Sequence, residues 1–136
     1  MSGKGEGDAD VLLDDIALYL QQQGVGVVGT DIFKGQLPVS PDNCIALFEY
    51  AGEPQDLTDA NLEYPGLQVL VRNKSYPAGR QKIEQTVRVL HGVSEQVINN
   101  VRYLLIQAKQ SPFFLERDKN GRAIFVVNFR VIKEVG

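Results

Sequence analysis

The sequence predicts an α+β domain, a mainly antiparallel mixed sheet with two helices packed on one face. Three observations lead there. Two stretches carry apolar residues at helical spacing, one near the start of the chain and one at its middle. Several other runs alternate in character with a period of two, as strands with one buried face do. Between the last of these runs lies Asp118-Lys119-Asn120-Gly121-Arg122, the chemistry of a hairpin turn.

Residues 1–7 hold three glycines and nothing apolar after Met1, too little to offset their ordering entropy, so they are expected to form a flexible arm ahead of a single domain at 8–136. Asp8 or Asp10 can cap a helix whose stripe is Val11, Leu12, Ile16, Tyr19 and Leu20, with Asp14 and Asp15 near its positive end and Gly24 as its stop. Residues 24–29, GVGVVG, match G-x-G-x-x-G, but a dinucleotide fingerprint has a strand before it and a helix after it. Here the order is inverted, which makes the glycines a helix exit and a bend. A short strand is expected at 30–34, with Ile32 and Phe33, followed by a two-proline loop at 35–43. Residues 44–51 resume as a strand. Cys44, Ala46, Phe48 and Tyr50 share one face and Ile45, Leu47, Glu49 and Ala51 the other, so both faces are largely apolar and the strand is expected to be central. A polar loop at 52–61 follows.

The chain is organised around residues 62–92. Leu67, Val69 and Val71 alternate with Gln68, Leu70 and Arg72 in a strand, and Asn73-Lys74-Ser75 ends it. Pro77 fits a first helical turn, Ile83, Val87 and Leu90 follow at i, i+4 and i+7, and Gly92 closes the helix. Beyond it, Asn99-Asn100 suits a tight turn because asparagine tolerates positive φ. Residues 102–109 and 123–133 are expected as strands of a long antiparallel hairpin, with Phe125, Val127, Phe129 and Val131 on one face of the second.

The composition narrows the function classes. A 136-residue chain with 43% hydrophobic and 23% charged residues is one globular domain. Its formal charge of -3 argues against DNA binding by broad phosphate neutralisation. No apolar run approaches the roughly 20 residues of a membrane span, and MSGKGEGDAD lacks the apolar core of a signal peptide, so a cytosolic origin without membrane association is expected. Cys44, the single cysteine, excludes an internal disulfide or a cysteine metal cage and reads as a small core hydrophobe.

No catalytic, cofactor or metal site is expected. His91, the single histidine, lies at a helix end where a cation favours the dipole, and no nucleophile motif accompanies it. Asp118-x-Asn120-Gly121 resembles the middle of a calcium loop without the later ligands, hence a turn. Asn73-Lys74-Ser75 is a formal glycosylation sequon in a chain with no secretory signal. Glu49 and Asp56 have no fixed separation and make no acid/base pair. Surfaces remain. Consecutive Phe113 and Phe114 point in opposite directions in an extended segment, which offers one ring to the core and one to a partner, or both to the core through a turn. The loops at 35–43 and 52–61 are long enough to be either connections or docking loops.

Three stretches, LPVSPDNCIALFEYAGEP, the 62–92 segment and RYLLIQAKQSPFFLERDKNGRAIFVVNFRVI, resemble the small phage and prophage proteins called minor capsid proteins, grouped with tail terminators. The telling pieces are Pro41-Asp42-Asn43, Glu49-Tyr50, Tyr64-Pro65-Gly66, Gln110-Ser111-Pro112 and Asn128-Phe129 after the Asp118 turn. The resemblance implies a virion protein assembled in the bacterial cytoplasm as a homo-oligomeric ring, usually a hexamer. That ring would cap the tail tube, end its growth and join it to the head connector, while DNA passes its lumen without specific binding. The contact residues it suggests are Phe33, Pro38, Glu49, Tyr50, Glu53, Arg72, Phe113 and Phe114. A head-completion or neck ring is the rival within the same machine. Two rivals come from other classes. A small nucleotide-binding enzyme would use the glycine segment with Glu49 or His91, and a nucleic-acid-binding module would use Arg72, Lys74, Arg80, Lys82 and Arg88.

Overall fold

A computed structural model describes residues 4–55, 57–58 and 60–135, with side chains from residue 11 onward. Helix α1 (Lys4–Gln22) leads into the short strand β1 (Ile32–Lys34), then β2 (Cys44–Glu53) and β3 (Leu62–Asn73). Helix α2 (Tyr76–Leu90) follows, then β4 (Val93–Ile98), β5 (Val101–Ala108), β6 (Phe113–Arg117) and β7 (Ala123–Glu134). The seven strands form one sheet in the order β1-β2-β3-β7-β5-β4, with β6 also on β7. Of these strand pairs only β1–β2 is parallel, so the sheet is mixed and mainly antiparallel, as its alternating runs predict.

Strand β7 is the centre of the molecule. It pairs with β3 along one side and with β6 and then β5 along the other, which leaves every residue from Ala123 to Val131 except Arg130 buried. Its register sets the layers. Leu47, Val69 and Val127 lie side by side across three strands, as do Ile45, Val71 and Phe125. That face receives both helices: α1 lies against β1, β2 and β4, and α2 against β3, β5 and β7. Ile16 and Leu20 of α1 and Ile83 and Leu90 of α2 enter one continuous core with it.

Local chemistry explains α2. The Ser75 hydroxyl accepts the Ala78 N–H at 3.3 Å, and Pro77 occupies the first turn, where its missing N–H is tolerated. Its buried stripe is Gly79, Ile83, Thr86 and Leu90, while Val87 is half-buried at the margin. Gly79 is required by close approach: a Cβ there would lie 2.7 Å from the Phe125 ring. His91 caps the helix through its backbone N–H, which donates to the Val87 carbonyl. Its Nδ1 accepts the Ala108 N–H at 2.9 Å and ties the helix end to β5.

Four expectations change. Helix α1 begins at Lys4, inside the stretch expected as an arm, whose first three residues lie outside the described ones. Strand β2 is not central. Three-residue β1 pairs only with Ile45, Ala46 and Leu47, so beyond Leu47 the strand is an exposed edge. Two strands, β4 and β6, add to the expected set because both are edge strands without a clean apolar face. The Asp118–Arg122 turn accordingly joins β6 to β7 rather than closing the long hairpin of β5 and β7. The Asn99-Asn100 turn holds, with φ of 51° and 67°, between β4 and β5.

That turn is also an anchor. Buried Asp15 of α1 accepts the Tyr103 hydroxyl at 2.7 Å and the Asn99 Nδ2 at 3.0 Å. Burial pushes the Asp15 carboxyl above its usual range, against the two hydrogen bonds and the Lys133 charge that pull it down. A carboxyl whose folded pKa is raised contributes stability that is complete below its ordinary pKa of about 4 and is lost as pH rises through the folded value. Urea unfolding of wild type and Asp15→Asn across that range tests this. The wild-type advantage is expected to be largest at the acid end and to shrink toward neutrality. A gap that grows with pH would mean the anion, not the acid, is the favoured form.

Candidate interaction surfaces

The C-terminal half places an aromatic wedge at the sheet margin. Phe114 is in register with Phe125 on the helix face, and Phe113 with Val126 on the opposite face, as a two-residue period requires. Tyr76 at the start of α2 closes the wedge, its centroid 4.9 Å from Phe125 and 5.3 Å from Phe114. Arg80 reaches from α2 to the carbonyl of Pro112 at 2.8 Å and so fixes where β6 begins. Even so, Phe113, Phe114 and the bulged Leu115 stay 42%, 39% and 51% exposed. Neither ring is fully taken into the core.

A second surface lies at the far end of β2. Glu49, Tyr50 and Glu53, three of the residues suggested by the sequence, line one groove of about 400 Å³ with Val11, Tyr64 and Lys133. Lys133 is buried and bound to Glu63 at 2.8 Å, whereas Glu49 and Glu53 are exposed and make no ion pair among the described residues. Asp56, the other carboxylate weighed with Glu49, lies outside the described residues. The β2 and β3 backbones cross closely here: a Cβ on Gly52 would run into the Tyr64 carbonyl oxygen, which restricts the position to glycine. Across the face away from the helices, Lys109 Nζ stands 5.7 Å from the Tyr50 ring centroid.

The third surface is the loop at 35–43, and its support corrects the part suggested for Arg72. Arg72 is only 3% exposed and does not offer its guanidinium to a partner. Its Nη2 donates to the Pro41 carbonyl at 2.7 Å and its Nε to that of Asp42 at 3.1 Å. Arg122, also buried, donates to the Val39 carbonyl at 2.6 Å and pairs with Asp42 at 3.1 Å and Asp118 at 2.8 Å. The Arg122 backbone N–H, more than the neighbouring guanidinium, holds the Asp118 carboxyl below its usual range. The loop is thereby held in one shape, with Pro38 half-buried and Val39 80% exposed at its tip. Phe33 is half-buried in β1 at the loop's root. Arg122 had no local signal as a brace, because its loop partners lie about 80 residues away in sequence.

The remaining chemistry is structural. Cys44 is buried beside Arg72, and burial raises its thiol pKa, which makes it a poor nucleophile. The glycines of residues 24–29 form the helix exit, where the Val27 N–H meets Asp31 Oδ1 at 2.7 Å. The cations named for nucleic acid do not make one free face: Arg72 is buried, Lys82 donates to the Val25 carbonyl, and Arg80 pairs with Glu84. Among the described residues no three His, Cys, Asp or Glu side chains come together as a metal group.

Comparison with known proteins follows the same lines. The family described as "Bacteriophage tail terminator protein" matches residues 19–135, which takes in the whole sheet and α2. A chain in the solved virion of a native gene transfer agent particle superposes with a TM-score of 0.59 at 16% identity, covering 88% of this chain and 93% of that one. At that identity the likeness is one of fold. No curated protein sequence matches significantly.

Proposed function

The chain belongs to the bacteriophage tail terminator family, a family of virion structural proteins, and from that premise we propose that it assembles into a ring that caps the tail tube. The observation that carries this reading is the extent of the family match, over residues 19–135. A tail tube grows because each ring presents a heterologous surface to the next. Growth stops when a ring matches the tube on one face and offers the other face to something else, here the head connector. Such work needs complementary surfaces and no reacting groups. The wedge at Phe113 and Phe114, the acidic groove at Glu49, Tyr50 and Glu53, and the braced loop around Pro38, rooted at Phe33, are the surfaces assigned to it. The ring is taken to be a hexamer, and a formal charge of -3 suits a lumen from which DNA slides freely.

Light scattering of the purified chain with and without tube protein, together with the length of tubes grown beside it, tests the proposal. A ring mass, reached alone or only on tubes, and tubes that stop lengthening are expected. A chain that ignores tubes at every concentration overturns it, and binding to connectors instead would make it a head-side ring.

A further inference from the structure

Among the described residues two stretches of strand edge lie open besides those of the end strands β1 and β4, and they differ in kind. Beyond Leu47, β2 has β3 as its one strand neighbour, so Phe48–Glu53 presents unpaired backbone groups outward. On the opposite side, β6 pairs only with β7 and its outer edge is bare. The third exposed margin, β4, is guarded: Glu95 leaves the strand line at φ 52° and is tied to Arg102 at 2.8 Å, and its neighbours Ser94 and Gln96 are polar. Strand β6 is bulged at Leu115 and charged at Glu116 and Arg117, but its first three residues are consecutive large apolar side chains left exposed. A bare apolar edge is a template for another strand.

The geometry points to a head-to-tail contact between copies of this chain, in which the outer edge of β6 docks along the open end of β2 on the next copy. It rests on the ring reading and names the contact that closes the ring. Charge favours this partner. Among the described residues Arg117 and Lys119 at the β6 end pair with no carboxylate, and of the two acids between Leu115 and Lys119 only Glu116 is not already bound to Arg122. The open end of β2 carries the exposed Glu49 and Glu53, which hold no cation of their own. Because the two edges are unlike, each copy offers one and receives the other. That heterologous contact propagates until rotation closes it, whereas β6 meeting β6 would stop at a dimer.

The test uses the full chain with Cys44→Ala, adding Leu115→Cys together with Glu49→Cys, Tyr50→Cys or Ala51→Cys, assembled with tube protein and treated with a short bismaleimide. At least one pair is expected to give a ladder of covalent multimers, and no single-cysteine variant should give one. Separately, Glu49→Arg with Glu53→Arg is expected to raise the concentration needed for assembly at least tenfold, and adding Arg117→Glu with Lys119→Glu to restore it. Rings without any ladder or charge rescue would overturn the edge pairing and leave the terminator reading standing. If the Leu115→Cys single variant crosslinks to another copy of itself or to tube protein, the edge pairing is overturned in favour of those occupants. No ring in any condition would remove both.

Discussion

Phe125→Ala is expected to lower the free energy of unfolding by about 3–5 kcal/mol, the usual result of emptying a buried aromatic site that cannot collapse. The site is unusually unable to collapse. Phe125 is fully buried on the central strand, between β3 and β6, and Gly79 lies so close to its ring that α2 already touches the sheet there. Its ring is also the floor on which Tyr76 and Phe114 stand, the latter at 5.8 Å between centroids. Since a domain of this size holds only about 5–15 kcal/mol in total, the loss would take a large share. The urea midpoint should fall with little change in slope. Phe114→Ala is the informative contrast. Its ring is already two-fifths exposed, so about 1–2 kcal/mol is expected, yet it removes part of the surface proposed for assembly. Equal losses of stability from both variants would show that Phe114 belongs to the core and would weaken its assignment to an interface.

What is legible in the sequence is what local chemistry decides. The two-residue period of 123–133 and 67–71, the Pro77 helix start and the Asn99-Asn100 turn each depend on neighbours a few positions apart, and each is found in place. Strand β4 is not legible because an edge strand needs no buried face, and Ser94, Glu95 and Gln96 look like a loop. The misplacement of β2 has a related cause. Its two apolar faces are real, since Cys44 to Leu47 are all buried, but a strand's depth in a sheet depends on the length of its neighbour, and β1 is three residues long. The surfaces follow suit. Glu49, Tyr50 and Glu53 belong to one stretch of sequence and do share a groove, while the distinction between guarded and bare edges exists only once strand order is known.

Arg72 is where residue type misleads most, and it yields the second large effect. An arginine alternating with apolar residues reads as a surface cation, but here the guanidinium lies beneath the 35–43 loop with its donors on loop carbonyls. Arg72→Met keeps the aliphatic stem and removes those charge-assisted bonds, for an expected loss of about 2–3 kcal/mol. Arg72 and Arg122 both reach the Val39 carbonyl, at 3.4 and 2.6 Å, so they act on one loop from strand β3 and from the β6–β7 turn. The double variant Arg72→Met with Arg122→Met is therefore expected to be non-additive, the second removal costing less than it does alone because the loop has already been released. Hydrogen exchange at the amides of residues 36–43 reads the same event locally. It should accelerate in each single variant while the amides of β7 remain protected. If the loop is a docking element, these variants should also cap tubes poorly under conditions where the fold is intact, because a partner would first have to order what the arginines hold in place. Unchanged exchange in both single variants would mean that the loop keeps its shape without the arginines, and a capping defect would then need another cause.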